Sequence, residues 1–358
     1  MAFTTNDGGA TQKQNLNLSS LAEEVIESDI FTFRAKTRAG FLNRIFSEYY
    51  PIADASISRI LTQLSAELSM SLSDIIQDEK LKQKVIKRLL KQKEATLISK
   101  TTAYEMGENK KFWLNKENFE YLTGKYSECK EDAFYSRRSK YIKSVLEEYA
   151  RLPYIQRERI YFFSFFEEIE AAIREKWQLR VVTGTGYVYS FYPYEILCDP
   201  LSTANYLVGY IKRYDHPEDE KRPRSFRISA LKSIRAEKSK SAFLPKEEKK
   251  QLEQVIAARG VQFISSGEEE IFVRLTETGK AKYRRQLHLR PVLARKESED
   301  IYVFDCTTAQ AEFYFFKFGA TAEILHPSEL REKFITLYRD ALNLYLATGP
   351  NALGIINE

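Results

Sequence analysis

The stretch CDPLSTANYLVGYIKRYDHPEDEKRPRSFRISALKSI, from Cys198 to Ile234, is the most informative segment of the chain. It contains two runs of β-forming residues separated by a charged turn. A buried strand rarely contains many charges, because an ionised side chain is costly to remove from water. This stretch nevertheless interleaves tyrosines with cations. The tyrosines are Tyr206, Tyr210 and Tyr214. The cations are Lys212, Arg213, Arg222, Arg224, Arg227 and Lys232, and Arg235 lies just beyond the stretch. Aromatic rings among cations are typical of a surface that binds nucleic acid.

Composition limits the other possibilities. The chain has 358 residues, of which 43% are hydrophobic, so it can form two or three domains with their own cores. Its net charge is only +5, too small to indicate nucleic-acid binding by itself, so the distribution of charge matters more. The three cysteines and three histidines are widely spaced and give neither a disulfide framework nor a metal-ligand pattern. We therefore expect no metal site and no cofactor.

The N-terminal sequence MAFTTNDGGATQKQNLNLSS is polar and lacks the basic and apolar segments of a signal peptide. No apolar run reaches the length of a membrane span. We expect a cytoplasmic protein with no membrane partner, in which residues 1–28 form a mobile tail.

Hydrophobic periodicity predicts an α+β protein. Helical patterns give way near residue 178 to LRVVTGTGYVYSFYPYEILCD, where glycines, a proline and alternating β-formers indicate strands. We predict a helical domain over 29–178, a strand-rich domain over 179–240 and a C-terminal α+β extension over 241–358.

The extension ends in a helix with a broad apolar face. The residues of that face are Phe334, Leu337, Tyr338, Leu342, Tyr345 and Leu346. Such a face either packs on strands of its own domain, such as the predicted strand FYFFKFG, or binds a second subunit. We predict that it forms the interface of a homodimer.

The helical domain begins with IFTFRAK, from Ile30 to Lys36, which alternates with period two and predicts a short strand. Two helical segments follow, separated by a turn at Pro51. A similar order recurs from KKFWL at residue 110, with a later helix in SRRSKYIKSVLEEYARL. We predict an internal duplication in which strands 30–36 and 111–115 pair antiparallel. An irregular helical domain with two isolated strands is the alternative.

Strand, helix, helix at these lengths resembles the ribbon-helix-helix DNA-binding module, in which two paired strands contact DNA. The resemblance implies possible nucleic-acid contacts by the outward side chains of the first strand, Thr32, Arg34 and Lys36. The second strand would present Lys111, Trp113 and Asn115, and a tryptophan there suits stacking better than the reading of base edges.

Between the two predicted repeats, Lys80 to Lys93 contains seven basic residues and no acidic residue. Apolar residues recur at helical spacing within it, so the segment is an amphipathic helix. A solvated helix face is the more common explanation for such a charge run, and we favour it here over contact with phosphates.

The opening stretch also carries a family resemblance. YPYEILCD, the strand around Asn205-Tyr206-Leu207, the later FRISALKSIR and the downstream FKFGATAEILHPSELREKF together resemble the WYL domain and its usual C-terminal extension. The Trp of the family triplet is replaced by Asn205, and a second Arg usual in the later strand is replaced by Ala230. The resemblance covers roughly residues 180–335 and implies a small Sm-like β-barrel. The domain order is similar to that of WYL accessory proteins encoded beside type VI-D CRISPR systems.

That resemblance implies a regulator that binds single-stranded RNA, forms a homodimer and stimulates an RNA-guided, RNA-targeting CRISPR effector nuclease. The residues that we expect to contact nucleic acid are Tyr194, Tyr206, Arg213, Arg224, Arg227, Lys232, Arg235, Arg284 and Arg285. The last two belong to KAKYRRQLHLRPVLARK, a second acid-free basic run. The alternative is a DNA-binding transcriptional regulator whose WYL domain senses a ligand.

Catalytic motifs are not evident. GTGYVYS lacks the Gly-Lys-Ser/Thr of a phosphate-binding loop, and no serine occurs in a nucleophile elbow. Cys198 has no evident histidine partner. We therefore predict a protein that is not an enzyme.

Overall fold

The computed structural model describes residues 12–73, 75–100, 107–125, 131–199, 203–216, 218–264 and 270–348. The chain divides into an N-terminal unit, Met1–Glu167 with Ser202–Ala204, and a C-terminal unit, Glu168–Leu201 with Asn205–Glu358. None of the helices in the described ranges combines the length and the apolar character needed to cross a membrane.

The N-terminal unit is mainly helical, with one small sheet. Its elements are β1 (Gln12–Leu16), α1 (Ser20–Thr32), α2 (Arg38–Ser73), α3 (Glu79–Lys100), β2 (Lys110–Leu114), α4 (Lys116–Lys125), α5 (Glu131–Arg151) and α6 (Tyr154–Tyr161), followed by α7 (Phe163–Glu175) at the division between the units. Strands β1 and β2 pair antiparallel, with Gln14 opposite Phe112. The order strand, helix, helix therefore occurs twice, as β1-α1-α2 and as β2-α4-α5.

The first predicted strand is wrong. Ile30–Lys36 covers the end of α1 and the following turn, because a helical stripe of Ala22, Ile26 and Asp29 continues to Phe33 and all four residues are buried. The predicted alternation placed Phe31 on the same apolar face as Phe33, but Phe31 is 86% exposed. The Ser19 side chain accepts a hydrogen bond from the Ala22 N–H and starts the helix. The turn predicted at Pro51 is also absent, since α2 continues through it.

The prediction of a mobile tail over 1–28 is wrong for residues 12–28, which form β1 and most of α1. Residues 1–11 lie outside the described ranges. In β1, Gln14 and Leu16 are buried whereas Lys13 and Asn15 are exposed. A buried glutamine conceals this alternation in the sequence. In β2, Phe112 and Leu114 are buried, as its alternation predicts.

Reciprocal caps connect the two strand-helix-helix segments. Glu147 on α5 accepts hydrogen bonds from the Ser19 N–H at 2.6 Å and from the Ser19 hydroxyl at 2.7 Å, at the start of α1. Asn43 on α2 accepts from the Asn115 N–H at 2.9 Å and donates to the Trp113 carbonyl at 2.7 Å, at the start of α4. The second helix of each segment thus satisfies polar groups at the start of the first helix of the other.

The C-terminal unit begins with a five-stranded antiparallel sheet. Its strands are β3 (Trp177–Thr183), β4 (Val188–Cys198), β5 (Asn205–Arg213), β6 (Arg222–Arg227) and β7 (Leu231–Ser241), in the spatial order β6-β5-β4-β3-β7. A short 3₁₀ turn, Ile228–Ala230, joins the last two. The described pairings leave β6 and β7 at opposite edges, so the sheet is open, which corrects the expectation of a closed barrel.

The two faces of this sheet have different surroundings. One face contains Leu179, Val181, Phe191 and Leu207, which are fully buried. The other face packs Val208 and Tyr210 against the helix α8 (Lys246–Arg259) and the turn after it. Gly209 is required between them, because a side chain there would collide with the carbonyl oxygen of Tyr192.

The rest of the C-terminal unit is a second antiparallel sheet with helices. It comprises β8 (Glu270–Leu275), α9 (Glu277–Arg285), β9 (Val292–Lys296), β10 (Ile301–Asp305), α10 (Thr308–Phe315), β11 (Ala322–His326) and α11 (Ser328–Thr348), with the strand order β11-β8-β10-β9. The predicted strand FYFFKFG is wrong, since these residues form α10 and a 3₁₀ turn. Their aromatic side chains Tyr314, Phe315 and Phe318 are buried at the centre of the core.

Helix α11 divides the predicted dimer face into two parts. Phe334 is buried in the core of its own sheet, and the Tyr338 hydroxyl donates to the Phe316 carbonyl at 2.8 Å. These two residues are therefore committed to intramolecular packing, and Leu337 is half-buried. The other three residues of the predicted face lie further along the helix and are exposed: Leu342 at 57%, Tyr345 at 78% and Leu346 at 71%.

Candidate nucleic-acid interface

The ladder of the five-stranded sheet arranges its cations by face. Residues directly opposite each other in an antiparallel pair project from the same side. Arg213 lies opposite Tyr189, and Arg224 lies opposite Gly209, so both arginines share the face that carries Phe191. The exposed Arg222 lies opposite Ile211 on this face as well.

Aromatic rings connect these positions. The Phe226 ring lies 5.7 Å from the Tyr189 ring and 5.8 Å from the Phe191 ring, between centroids. The Arg224 guanidinium lies 5.6 Å from the Phe226 centroid. Phe226 itself is opposite Leu207 on β5. This face therefore combines an aromatic layer, in which Phe191 is buried and the other two rings are half-buried, with cations on β5 and β6.

A cleft of about 500 Å³ opens beside the ends of β4 and β5. It is lined by Arg180, Gly186, Tyr187, Val188, Tyr189, Arg213, Tyr214 and Asp215. Gly186 has φ +93°, a left-handed conformation that favours glycine, and the turn that it forms presents Tyr187 with 67% of its surface exposed. The cleft thus brings three tyrosines together with two arginines.

Two cations lie over the ring of Tyr214. The Arg180 guanidinium and the Lys240 ammonium are each 5.0 Å from its centroid. The Tyr214 hydroxyl donates to Glu237 at 2.9 Å, and Lys240 donates to the same carboxylate at 2.9 Å. These contacts fix the ring of Tyr214 at the edge of the cleft, with two cations beside it.

Arg213 forms an ion pair with Asp215 at 3.2 Å, and both side chains are mostly exposed, at 60% and 66%. A backbone hydrogen bond contributes most to lowering the pKa of the Asp215 carboxyl, and Arg213 lowers it further. Exposed pairs of this kind contribute little to stability, so a phosphate can replace Asp215 at the guanidinium.

Arg180 is the residue of the cleft that the sequence did not single out. It lies opposite Arg235 on β7 and opposite Ser190 on β4, and Ser190 lies opposite Lys212 on β5. A transverse row of Arg235, Arg180 and Lys212 therefore crosses the sheet. The alternation of LRVVT indicates that Arg180 lies on the sheet face opposite the buried Leu179 and Val181, but it does not indicate which residues lie beside Arg180.

Two of the predicted tyrosines lie elsewhere. Tyr194 and Tyr206 are half-buried and pack against a cluster that joins Val208 of β5 to Leu252 of α8. The Tyr194 hydroxyl donates to Glu253 at 2.8 Å, and this hydrogen bond, with burial, raises the pKa of Tyr194 to about 12. Their rings therefore serve packing against α8, and we do not include them in the cleft.

The other predicted contacts are dispersed. Arg227 is half-buried and lies opposite Tyr206, and Lys232 is exposed on β7. Arg284 and Arg285 are exposed at the end of α9, next to the second sheet. Among the predicted residues, Arg213 lines the cleft, Arg224 shares the sheet face of Arg213, and Arg235 lies opposite Arg180.

The predicted DNA-contacting strand residues are not on a strand. Thr32 ends α1, and Arg34 and Lys36 are exposed in the turn after it. The outward face of the β1-β2 ribbon instead carries Lys13, Asn15, Lys111 and Trp113. The Lys13 ammonium lies 5.7 Å from the Trp113 ring centroid.

The candidate metal ligands and the cysteines give weaker evidence for a site than the cleft does. Within the described ranges, one set of three candidate ligands lies close together, His216, Glu218 and Asp219, in a largely exposed turn. Cys306 is buried, and burial raises the pKa of its thiol to about 12, which makes it unreactive. Cys129 lies outside the described ranges.

Comparisons with known proteins identify a fold. No protein-family model matches the chain, and no curated protein matches it. The crystal structure of a CRISPR Cas-related protein is similar over 94% of both chains, with a TM-score of 0.64 and 22% sequence identity. The proteasome accessory factor B/C of Arthrobacter aurescens aligns over 68% of this chain and 38% of its own, with 18% identity and a TM-score of 0.30, too low to carry a structural argument. The chain therefore shares the α+β fold of the CRISPR Cas-related protein.

Proposed function

We propose that this protein is a non-catalytic accessory regulator that binds single-stranded RNA and stimulates an RNA-guided, RNA-targeting CRISPR effector nuclease. The observation that carries the proposal is the cleft beside the ends of β4 and β5. It presents an exposed aromatic ring, Tyr187, within a group of further tyrosines and the cations Arg180 and Arg213.

The chemistry of the cleft suits an unpaired strand. Unstacked bases bind the faces of aromatic side chains, and each such stacking contributes about 1–3 kcal/mol without regard to sequence. Cations beside the rings neutralise phosphates, and arginine can also stack on a base. A duplex keeps its bases inside, so it offers no free face to Tyr187.

The regulatory role rests on the fold and on the sequence resemblance. The chain is similar over 94% of its length to a CRISPR Cas-related protein, which suggests a CRISPR-associated role here. The strand order β6-β5-β4-β3-β7, with a 3₁₀ turn between the edge strands, is compatible with an Sm-like sheet of the WYL type. The two strand-helix-helix segments are compatible with a ribbon-helix-helix-like module.

The experiment that tests RNA binding measures the affinity of a labelled, unstructured 20-nucleotide RNA at several salt concentrations. Arg180→Gln combined with Arg213→Gln should weaken binding and make the slope of log affinity against log salt shallower by about 1.4, since each single-strand phosphate contact contributes about 0.7. Lys249→Gln combined with Lys250→Gln, two exposed residues of α8, removes the same charge and should leave both quantities unchanged.

Other outcomes would relocate the site or remove it. A loss with Arg284→Gln and Arg285→Gln, but not with the cleft variant, would place the RNA on α9. If the wild-type protein bound no single-stranded RNA, the proposal would be wrong. Stimulation is tested separately, as the rate of RNA cleavage by a purified type VI-D effector with and without this protein. The cleft variant should stimulate less.

We also propose that two copies associate through the exposed part of α11. Leu342, Tyr345 and Leu346 lie at positions i, i+3 and i+4, so they form one apolar patch on the helix. Two copies would present two RNA clefts, and linked sites bind one strand more tightly than separate sites. Sedimentation should show a dimer for the wild type and a folded monomer for Leu342→Asp with Leu346→Asp. A wild type that is monomeric at micromolar concentration would exclude the dimer.

A DNA-binding transcriptional regulator is the second candidate, because the β1-β2 ribbon presents Lys13, Asn15 and Lys111 outward. Polar side chains on a two-stranded ribbon can reach base edges in the major groove. Tight binding of a duplex DNA with no preference for single strands, lost in Lys13→Ala with Lys111→Ala, would favour this candidate over RNA binding.

A further inference from the structure

Helix α3 carries a concentrated positive charge. From Glu79 to Lys100 it contains eight Lys or Arg and two Glu, a net charge of +6, whereas the whole chain has a net charge of +5. The rest of the protein is therefore close to neutral. A charge excess confined to one helix indicates a local function of that helix rather than a general property of the surface.

Five of these cations form one stripe. Lys80, Lys84, Lys87, Arg88 and Lys91 are all exposed, and at 3.6 residues per turn they fall within an arc of about 100° over a length of about 16 Å. The buried side of the helix, which includes Ile86 and Lys82, is on the opposite side. The stripe therefore points away from the core of the N-terminal unit. We call these five residues the α3 stripe.

The α3 stripe has little local neutralisation. Positions three and four residues apart are neighbours on a helix, and five pairs of stripe residues have this spacing, whereas Glu94, three residues after Lys91, is the one acidic residue at this spacing. Like charges at this spacing destabilise a helix by a few tenths of a kcal/mol per pair. Across the described ranges, no carboxylate forms an ion pair with a stripe residue, while Lys82, outside the stripe, pairs with Glu79 at 2.7 Å.

Helix α8 shows what an ordinary solvated helix of this protein contains. Its lysines Lys246, Lys249 and Lys250 are exposed but alternate with Glu247, Glu248 and Glu253. Charges of both signs are the usual composition of a solvated face. The α3 stripe departs from it, which favours contact with a polyanion over the solvated face that the sequence alone suggested.

The residues of the α3 stripe favour the backbone of a duplex. Helix α3 contains no aromatic residue, so it offers no ring on which an unpaired base could stack. Among the α3 residues whose side chains the structure describes, the other exposed residue inside the arc of the stripe is Ala95. Ile86 on the apolar side is buried against the protein, and the exposed Leu81 and Leu89 are too few to form the broad apolar face that inserts into a bilayer. A uniform row of cations matches the uniform phosphates of a paired nucleic acid.

We propose that the α3 stripe is a second nucleic-acid site, which binds the phosphate backbone of double-stranded RNA without reading its sequence. The charge argument does not depend on the cleft in the C-terminal unit, whereas the choice of RNA over DNA rests on the proposed function. The two sites differ in chemistry, because one combines rings with cations and the other has cations alone.

The test uses the full-length protein, with Lys84→Gln, Lys87→Gln and Lys91→Gln in one variant. Glutamine keeps a good helix propensity at exposed positions, so α3 should remain folded, which circular dichroism checks. The control variant carries Lys246→Gln, Lys249→Gln and Lys250→Gln on α8, with the same change in net charge. The probes are a blunt 20-base-pair RNA duplex, a DNA duplex of the same sequence and the unstructured 20-nucleotide RNA.

We expect the α3 variant to bind the RNA duplex about a hundredfold more weakly at 0.1 M salt, with a salt slope shallower by about 2.7, since each duplex contact contributes about 0.9. Its affinity for single-stranded RNA should be unchanged, and the control variant should match the wild type. A cleft variant, Arg180→Gln with Arg213→Gln, should show the reverse pattern, so failure of one site is distinguishable from failure of the other.

Three results would overturn the proposal, and a fourth observation, made together with the first of them, would reassign the stripe. One is a wild-type protein that binds neither duplex. Another is an equal loss in the α8 control, which would reflect net charge alone. A preference for the DNA duplex would overturn the assignment to RNA. Binding to vesicles that contain anionic lipid or to an acidic protein, with no binding to either duplex, would assign the stripe to a different partner.

Discussion

Two groups of tyrosines in one sheet show how neighbouring elements decide what a side chain does. Tyr194, Tyr206 and Tyr210 lie where α8 covers the sheet, and they pack into its core. Tyr187 and Tyr214 lie at the strand ends, where they line an open cleft whose described lining residues come from strands and turns. The residue type is the same and the strands are partly the same. The difference arises from α8, which is distant in sequence from β4, so it becomes visible only after folding.

The largest effect, a loss of stability, should come from a substitution among the tyrosines that α8 covers. Tyr210→Ala removes a ring that is 3% exposed and whose hydroxyl donates to the Glu248 carbonyl at 2.8 Å. We expect the free energy of unfolding to fall by about 3–5 kcal/mol, as for other large-to-small substitutions of aromatic residues in a core. Urea denaturation measures this, and RNA affinity of the folded fraction should not change. A loss below about 1 kcal/mol would show that α8 does not cover this ring in solution.

Substitution of the two tyrosines that line the cleft should have the opposite result, with a loss of RNA affinity and little loss of stability. Tyr187→Ala combined with Tyr214→Ala should reduce affinity for single-stranded RNA by at least about tenfold, because each base that stacks on a ring contributes about 1–3 kcal/mol. Fluorescence anisotropy with labelled RNA measures the loss. The free energy of unfolding should change by less than about 2 kcal/mol, because Tyr187 is largely exposed and Tyr214 loses one surface hydrogen bond, to Glu237.

The matched control keeps both rings and removes only the hydroxyls, as Tyr187→Phe with Tyr214→Phe. Its affinity should stay close to that of the wild type, because stacking depends on the ring. If the phenylalanine variant lost as much affinity as the alanine variant, the tyrosines would act through their hydroxyls and not by stacking.

Periodicity predicted the elements whose inward positions are apolar. Strand β2 was found because Phe112 and Leu114 alternate with polar residues. Strand β1 was missed because the buried Gln14 reads as an exposed residue. Helix α1 was missed for the same reason, since its inward stripe includes Asp29, which is buried in contact with Arg157 at 2.7 Å and Tyr149 at 2.8 Å. Polar residues that are buried with partners are invisible to a hydrophobic pattern.

The candidate site was predicted only in part, for a related reason. The sequence indicated Arg213 because it follows a run of aromatic strand residues, and the structure places it in the cleft. The sequence did not indicate Arg180, a lone cation in LRVVT, because strand pairing decides which residues lie beside Arg180 in the sheet. Strand pairing brings Arg180 opposite Arg235, 55 positions further along the chain, and no local pattern contains that information.

A smaller effect distinguishes two arginines three positions apart on β6. Arg224 shares the sheet face of Arg213, whereas Arg227 is opposite Tyr206 on the other face. Arg224→Gln should make the salt slope of single-stranded RNA binding shallower by about 0.7, the contribution of one phosphate contact. Arg227→Gln should leave the slope unchanged. Equal slopes for the two variants would mean that the RNA does not follow the face of Arg213 across β6.

The smallest effect is expected from one hydroxyl in the covered group. Tyr194→Phe removes the hydrogen bond to Glu253 and should lower the free energy of unfolding by about 0.5–1 kcal/mol at pH 8. This bond raises the folded-state pKa of Tyr194 from its ordinary value of 10.0 to about 12, so its stabilisation is complete below pH 10 and is lost as the pH rises toward 12. The difference between wild type and Tyr194→Phe should therefore shrink above pH 10 and then reverse, because an ionised Tyr194 is repelled by Glu253. Urea denaturation at pH 8, 10 and 11 measures the trend, and Glu253→Gln should flatten it by removing the charge. A difference that is the same at every pH would mean that Tyr194 does not bond to this carboxylate in solution, and that α8 holds the ring by packing alone.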